Sequence, residues 1–308
     1  MRLAFLAVIA LFFCQGWSQS KASDSLSYYE TSGDYFKGIR YAERISPKLV
    51  KSGNFKRFAE VSIAQSKLHW LLSDSQSAIP HLFNSLKIAE KNRAGVAQVM
   101  LLQQIGRMYE KIYDLTAAQK YVRLSMKKAY EVRHDSLIGS VSQSMYGIYS
   151  EIQNDSAWYY LKRSNSFLRK DGSMESLFTI QNNLFAFYAK QSNWPTAKIH
   201  IDSAMYFLKK HVSRKSQRSG HMNLAVYYIT AENNYKKAED AYQHVIATIT
   251  DTLSSEVCDL YWTYADILKH NGKFNEAFRY MDKATIIRDY IYDKKLSSNI
   301  RTLEMKYN

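Results

Sequence analysis

One short pattern in the sequence could support nucleophilic chemistry. In Ser125-x-x-Lys128 an amine lies one helical turn from a hydroxyl. The pattern is common by chance, and here it falls in a segment with helical periodicity. The eight histidines are scattered, and His200 and His211 are too far apart to share a metal ion. The sequence has no glycine-rich phosphate loop, His-Glu-x-x-His or Gly-x-Ser-x-Gly motif. We therefore expect a protein that is not an enzyme, with no catalytic residue, metal site or cofactor.

Small residues recur at a steady interval along the sequence. They indicate where the helices that carry the other side chains pack together. Successive members are 39 to 41 residues apart. The seven positions are Gly38, Ala78, Ala118, Ala157, Ala197, Ala238 and Ala277. A second small residue follows seven positions later at Ser85, Ser125, Ser164, Ala204 and Ala284. Paired helices approach to roughly 8–10 Å where the side chains at the crossing allow it, so we expect a helix pair at each position.

Helix-start signals accompany these small residues. Four positions before most of them stands an Asp or Asn, which can accept a hydrogen bond from a free N–H of the first turn and contributes about 1 kcal/mol. The residues concerned are Asp34, Asp74, Asp114, Asn193 and Asn234. The fourth unit has Asn154 and Asp155 nearby, and only the last unit, with Lys273, departs clearly.

The clearest unit reads Leu102-x-x-Ile105-Gly106-x-x-Tyr109, followed by a turn at Tyr113-Asp114 and then by Ala118 and Val122. This unit resembles the tetratricopeptide (TPR) signature, Trp-x2-Leu-Gly-x2-Tyr followed by Ala-x3-Phe. A TPR unit has 34 residues, so the helices here must be longer, and a period near 40 also fits HEAT repeats. The Gly106-x2-Tyr109 pairing favours TPR. The resemblance implies an all-α superhelix, a TPR solenoid of about seven helix pairs over residues 27–284.

In TPR arrays the first helix of each pair lines the concave surface where ligands bind. The resemblance therefore implies a binding face for a protein or peptide, with an aromatic anchor at Trp262 and lysines that attract acidic groups. The matching positions are Gln103, Arg107, Lys111, Asn182, Lys190, Trp262, Asp266 and Lys269. Within each unit these positions are roughly one turn apart and share a helix face.

The N-terminus has the form of a secretory signal peptide over residues 1–18. Arg2 precedes a short apolar run, and small residues allow cleavage between Ser18 and Gln19. The run is too short to span a membrane. Cys14 could accept a lipid, but Phe13 stands where a lipidation motif needs a small residue. We expect an exported protein of the periplasm or cell envelope, followed at residues 19–26 by a disordered linker.

The net charge of +14 raises the question of anionic partners. Export and the spread of Lys and Arg over nearly every helix argue against nucleic acid, and no basic run with interleaved aromatics marks a strand-binding track. Solvated helix faces are the simplest interpretation, and a preference for acidic partners or anionic envelope surfaces is the alternative. After cleavage one cysteine, Cys258, remains, and we expect it to be a small core residue.

Past Ala284 a further helix is expected over residues 285–308. Leu296, Ile300, Leu303 and Tyr307 have the spacing of a short coiled-coil seam, or the segment caps the last repeat. The ending is similar to the junction after periplasmic TPR arrays in bacterial membrane-bound regulators of the histidine kinase or helix-turn-helix type. Two functions are thus open: an exported scaffold binding a protein or peptide, or the input domain of a truncated signalling regulator without its membrane span and effector.

Overall fold

A computed structural model describes residues 26–30, 33–72, 74–152, 154–210, 212–249 and 254–307. These residues form α-helices joined by short turns and contain no β-strand. The expected signal peptide, Cys14, the expected cleavage site between Ser18 and Gln19, and His211 lie outside the described residues. Leu26, the last residue of the expected linker, is helical and 2% exposed, so the linker does not include it.

After a short helical stretch over residues 26–30, the helices alternate as the first and second members of successive pairs. We number them in chain order as α1 (Tyr35–Lys51), α2 (Phe55–Leu71), α3 (Ser75–Lys91), α4 (Gly95–Lys111), α5 (Leu115–Glu131), α6 (Asp135–Ile152), α7 (Asn154–Asp171), α8 (Met174–Lys190), α9 (Trp194–Leu208), α10 (Arg214–Thr230), α11 (Tyr235–Ala247), α12 (Ser255–His270) and α13 (Phe274–Tyr307). The first helices are α2, α4, α6, α8, α10 and α12, and the second helices are α3, α5, α7, α9, α11 and α13. The all-helical fold class and the helix pairing are confirmed.

The described residues divide into two compact units. The N-terminal unit contains residues 26–164 together with 289–307, and the C-terminal unit contains residues 165–288. In the C-terminal unit, α9 packs its apolar side against α8 and against Tyr227 of α10. The side chains of α11 are likewise buried between α10 and α12. Each second helix there is thus covered by its own first helix and by the next one, as expected for units that cannot bury an apolar face alone.

The recurring small residues lie at the helix crossings. The anchors from Ala78 to Ala277 are at most 5% exposed, and Gly38 is also buried. At Gly106 a Cβ atom would lie 2.4 Å from Val122 Cγ2 and 3.1 Å from the carbonyl oxygen of Ala118. Since real Cβ atoms do not come that close, the approach of α4 to α5 at this point requires a residue without a side chain. The second small residues are buried as well, and Ser125 Oγ donates to the Val99 carbonyl at 2.8 Å.

Most of the expected helix caps are present. Asp74, Asp114, Asn193 and Asn234 each accept a hydrogen bond from the backbone N–H three residues later. Asp34 precedes α1 but makes no side-chain capping bond. Its carboxylate accepts from Lys37 Nζ at 3.0 Å instead, so the expectation at that position was wrong. The sequence reasoning did not include the caps of the first helices, which are Asn54, Ser173, Ser213 and Ser254.

A pair of rings joins the two helices of four successive repeats, near the end of the first helix. Tyr109 stacks on Tyr121 with centroids 5.4 Å apart, and Tyr188 stacks on His200 at the same distance. The equivalent pairs are His69 with His81 and Tyr149 with Tyr160. The position is therefore occupied by a flat ring in a stacked or tilted pair, and histidine stands there as well as tyrosine.

Helix α13 runs without interruption from Phe274 to Tyr307. Its first part is packed, because Ala277 and Ala284 are buried and Tyr280 contacts Tyr261 and Tyr264 of α12. Leu296 and Ile300 are about half exposed, at 50% and 49%. The coiled-coil seam expected there stays a prediction. None of the described helices combines the length and hydropathy needed to cross a lipid bilayer.

Two histidines make the fold sensitive to acid. Burial, reinforced by His69, lowers the pKa of His81 to about 4, and burial with His244 lowers the pKa of His221 to about 4. Both are neutral when folded, whereas the unfolded chain takes up protons below about pH 6.5. Their contribution to stability is therefore complete above about pH 6.5 and is lost as the pH falls towards 4.

We expect His81→Phe and His221→Phe together to reduce the loss of unfolding free energy between pH 7 and pH 4.5 by about 2 kcal/mol, a figure discounted for partial solvent exposure. Urea unfolding at the two pH values measures this difference. The exposed His134→Phe is the control and should keep the wild-type pH dependence. A double variant with the same acid sensitivity as the wild type would contradict the assignment.

Candidate functional site

Large polar side chains inside the described residues are concentrated on the first helices. Nine of the described residues on these helices carry an amide or guanidinium group and are less than a tenth exposed. They are Arg57, Gln65, Gln98, Gln103, Gln104, Gln143, Asn182, Asn183 and Asn223. On the second helices Asn165 and Glu239 are the comparable groups. Because burying an unpaired polar group costs free energy, such a concentration requires hydrogen-bonding partners along this helix layer.

In the N-terminal unit Gln103 links two neighbouring first helices. Its Nε2 donates to Ser144 Oγ at 2.8 Å and to the carbonyl and hydroxyl oxygens of Ser140 at 3.0 Å, so α4 is tied to α6. Gln103 is 4% exposed. The structure therefore places this predicted site residue between two helices, where it fixes their register.

In the C-terminal unit an asparagine pair has the same role. Asn223 Nδ2 on α10 donates to Asn182 Oδ1 on α8 at 2.8 Å, and both side chains are buried. A side-chain amide both donates and accepts, so each member of the pair keeps capacity for a further hydrogen bond. Asn182, like Gln103, thus lies in the layer between adjacent first helices.

One turn beyond Gln103, α4 presents charged groups in a partly buried setting. Burial lowers the pKa of Arg107, and the neighbouring Glu110 only partly offsets it. Burial likewise raises the pKa of Glu110, against the opposing effect of Arg107. Desolvation thus outweighs attraction for both groups. Lys111, at the end of the same helix, is exposed, and its Nζ lies 5.4 Å from the centroid of the Trp70 ring on α2.

The remaining predicted residues are more accessible. Lys190 and Lys269 are exposed at the ends of α8 and α12. Trp262 is 36% exposed on α12, which leaves part of the indole open for contact. Asp266 is partly buried, and its carboxylate lies 3.7 Å from His270 Nδ1. The predicted set therefore combines two buried amides, a half-buried arginine and a group of accessible side chains.

Several residues of this layer were missed from the sequence, among them Gln104, Gln143 and Asn223. A signal was present, since Gln103 and Gln143 are one repeat interval apart, as are Asn182 and Asn223. A polar residue that recurs with the repeat marks a shared structural position.

The groups considered for catalysis are engaged in packing. The Ser125 hydroxyl is buried against α4, and Lys128 pairs with Glu131 at 2.5 Å. His200 is stacked on Tyr188, its Nδ1 lies 2.8 Å from Gln181 Oε1, and burial lowers its pKa. Cys258 is buried, its thiol contacts the Ala284 carbonyl, and burial raises its pKa. No cluster of three or more metal-ligating side chains occurs in the described part of the chain.

No protein-family model matches the sequence, and no curated protein matches it. Solved structures do resemble the fold. RapI in its apo form is 15% identical, with 88% of this chain and 98% of RapI covered at a TM-score of 0.60. A Rap conjugation gene regulator of the plasmid pLS20, in complex with the Phr* peptide, is 14% identical, with 92% of this chain and 82% of the regulator covered at a TM-score of 0.57. NprR in complex with its cognate peptide NprX is 13% identical, with 93% of this chain and 83% of NprR covered at a TM-score of 0.55.

These structures are TPR-like helical repeat proteins, and this chain has the same class of fold. The TPR resemblance inferred from residues 102–122 is thereby confirmed at the level of the fold. At these identities the likeness concerns the fold alone.

We expect Asn182→Ala and Asn223→Ala each to lower the free energy of unfolding by about 1–3 kcal/mol, because each leaves the other buried amide without its partner. The double variant should lose less unfolding free energy than the two single variants lose together, and the difference, the coupling energy, should be about 1 kcal/mol. Urea denaturation of the four proteins measures this coupling. Asn275→Ala, at an exposed position of the same unit, should be close to neutral. Additive effects of the pair would show that the bond is not energetically significant.

Proposed function

We propose that this chain is a non-enzymatic scaffold that binds a protein or peptide partner on the first-helix face of its compact units. The observation that carries the proposal is the concentration of buried amides on that face, at Gln103, Asn182 and their equivalents. Amide side chains that bridge neighbouring helices keep unused donor and acceptor capacity. An extended peptide offers donors and acceptors along its own main chain and is the natural complement of such a layer.

The accessible residues supply affinity and charge preference. Trp262 can bury its exposed edge against an apolar side chain, which is the usual role of an aromatic anchor. Lys111, Lys190 and Lys269 favour acidic groups on the partner and speed its approach. Arg107 differs because it is already half-buried beside Glu110, which partly offsets its charge. The preferred partner is therefore an acidic peptide, and nucleic acid is not expected.

Two of the similar structures support this proposal, since the pLS20 Rap regulator and NprR are each described in complex with a peptide. They share the fold with this chain at low sequence identity, so the peptides themselves are not transferred. What the likeness supports is a class of ligand that such a helix layer can hold.

A second candidate is that the chain serves as the input domain of a signalling regulator. The observation in its favour is α13, whose 34 residues make it twice as long as most other helices of the chain. At 1.5 Å per residue such a helix spans about 50 Å and could transmit a rotation or shift over that distance.

Peptide binding can be tested by panning a library of linear dodecapeptides on the immobilised protein. We expect enrichment of acidic peptides, and an affinity at least about tenfold lower for Lys111→Glu with Lys190→Glu, measured by fluorescence anisotropy. Arg107 is left intact, because a glutamate there would place a second carboxylate beside half-buried Glu110. The matched control, Lys127→Glu with Lys236→Glu, makes the same charge change on second helices and should bind as the wild type does. Failure to enrich any peptide, or equal loss in both variants, would contradict the proposal.

We also propose export to the periplasm or cell envelope, on the strength of the residue pattern over residues 1–18. The protein recovered from a periplasmic fraction should have an N-terminal peptide that begins at Gln19, as read by mass spectrometry. A product found only in the cytoplasmic fraction, with residues 1–18 retained, would exclude export.

A further inference from the structure

The second helices of the N-terminal unit lie side by side and form one surface. Phe83 of α3 packs edge-on against Tyr121 of α5 with ring centroids 5.3 Å apart. On the other side of α5, the Arg163 guanidinium of α7 lies 5.1 Å from the centroid of the Tyr130 ring. Helices α3, α5 and the part of α7 up to residue 164 are thus neighbours, and their solvent-facing side chains make a broad face, here named the basic face.

This face is strongly positive. Together α3 and α5 carry six Lys or Arg and two Glu. On α5, Lys120, Arg123 and Lys127 follow at spacings of one turn on the side opposite buried Ala118 and Val122, so they project from one face. Lys87 and Lys91 of α3 and Lys162 of α7 are also exposed.

Five exposed lysines of the basic face have no carboxylate partner in the described part of the chain, whereas Lys128 of α5 pairs with Glu131 at 2.5 Å. Within the described residues, no carboxylate lies within ion-pair distance of Lys87, Lys91, Lys120, Lys127 or Lys162. Lys120 and Lys162 instead lie over the adjacent rings of Tyr121 and Trp158, each 5.4 Å from the centroid.

The C-terminal unit is arranged differently. Helices α9 and α11 carry equal numbers of basic and acidic residues. Three lysines on or directly before the second helices of that unit are paired: Lys198 with Asp202 at 2.9 Å, Lys237 with Glu232 at 2.8 Å, and Lys273 with Glu239 at 2.6 Å. A chain that balances charge on one set of second helices and leaves it unbalanced on the other has a local excess of positive potential.

Apolar and aromatic side chains are exposed among these cations. Leu124 lies between Arg123 and Lys127 on α5 and is 43% exposed, and Tyr130 and Tyr159 are 44% and 52% exposed. Lysine with exposed aliphatic and amphipathic aromatic groups is the composition that binds at the headgroup boundary of a bilayer. Each lysine or arginine near an anionic leaflet contributes about 1 kcal/mol of attraction.

We propose that the basic face docks the protein peripherally on an anionic lipid surface. Its lysines contact the headgroup phosphates, and Leu124, Tyr130 and Tyr159 lie at the depth of the headgroups. A lipid surface fits this face better than an acidic protein does, because the cations are spread over three helices around exposed apolar groups. An acidic protein partner would contact a smaller area and would need matched carboxylates. The site is separate from the first-helix layer, so either proposal can fail alone.

The test measures co-sedimentation of the full chain with phosphatidylcholine vesicles that contain or lack phosphatidylglycerol. The wild type should bind the anionic vesicles and should be released as ionic strength is raised to about 0.5 M. Lys87→Glu, Lys120→Glu and Lys127→Glu combined should lower the partition coefficient on the order of 100-fold. These residues are exposed, so the far-ultraviolet dichroism should be unchanged.

The matched control combines Lys209→Glu, Lys210→Glu and Lys236→Glu, three exposed lysines of the C-terminal unit, and changes the net charge equally. It should keep the wild-type partition to within about threefold. Equal binding to vesicles without phosphatidylglycerol, undiminished binding of the first variant, or equal loss in both variants would each overturn the proposal. Binding to polyglutamate but not to vesicles would overturn it too, and would identify the face as a site for an acidic protein.

Discussion

The close approach of two helices at a residue without a bulky side chain is the constraint on which this molecule depends. At Gly106 the backbone of α4 lies so near Val122 that even a methyl group would overlap it. The anchors from Ala78 to Ala277 are likewise small and buried. A pair of helices that meets this closely buries one side only, and the other side must be covered by the next pair. The steady interval of the small residues therefore sets the helix lengths, the turns and the position of every other side chain relative to its neighbours.

Burial between neighbouring repeats has a consequence for polar groups. The layer of first helices is dry enough that an amide there must find a partner, and Gln103 and Asn182 find theirs on the following first helix. Such bonds add little net stability, yet a register error would leave both partners unsatisfied. The polar layer thus selects one alignment of successive repeats.

The sequence predicts those parts of the structure that depend only on residues close together in the chain. The small anchors and the caps at Asp74 and Asp114 depend on local geometry and were correctly expected. Asp34 failed because its carboxylate pairs with Lys37, a competition that cap propensity does not include. Gln103 is buried because α6 packs against α4 at this point. Residue spacing within α4 does not show which neighbouring helix covers that side. The ring pair of Tyr109 and Tyr121 was missed for the same reason, since it joins two helices.

Charge shows most clearly why composition is a weak guide to surface function. A net charge of +14 spread over many helices suggested ordinary solvated faces. The fold separates that charge into two kinds of surface, because Asp202, Glu232 and Glu239 pair with lysines in one unit, while α3 and α5 carry six Lys or Arg against two Glu. An unpaired lysine costs little on a solvated surface, so stability alone does not demand this imbalance. The imbalance instead changes the long-range electrostatic field around the protein, which attracts or repels charged binding partners. The helices of the N-terminal unit thus differ in chemistry: its first helices hold buried neutral amides, and its second helices α3 and α5 carry an excess of cations.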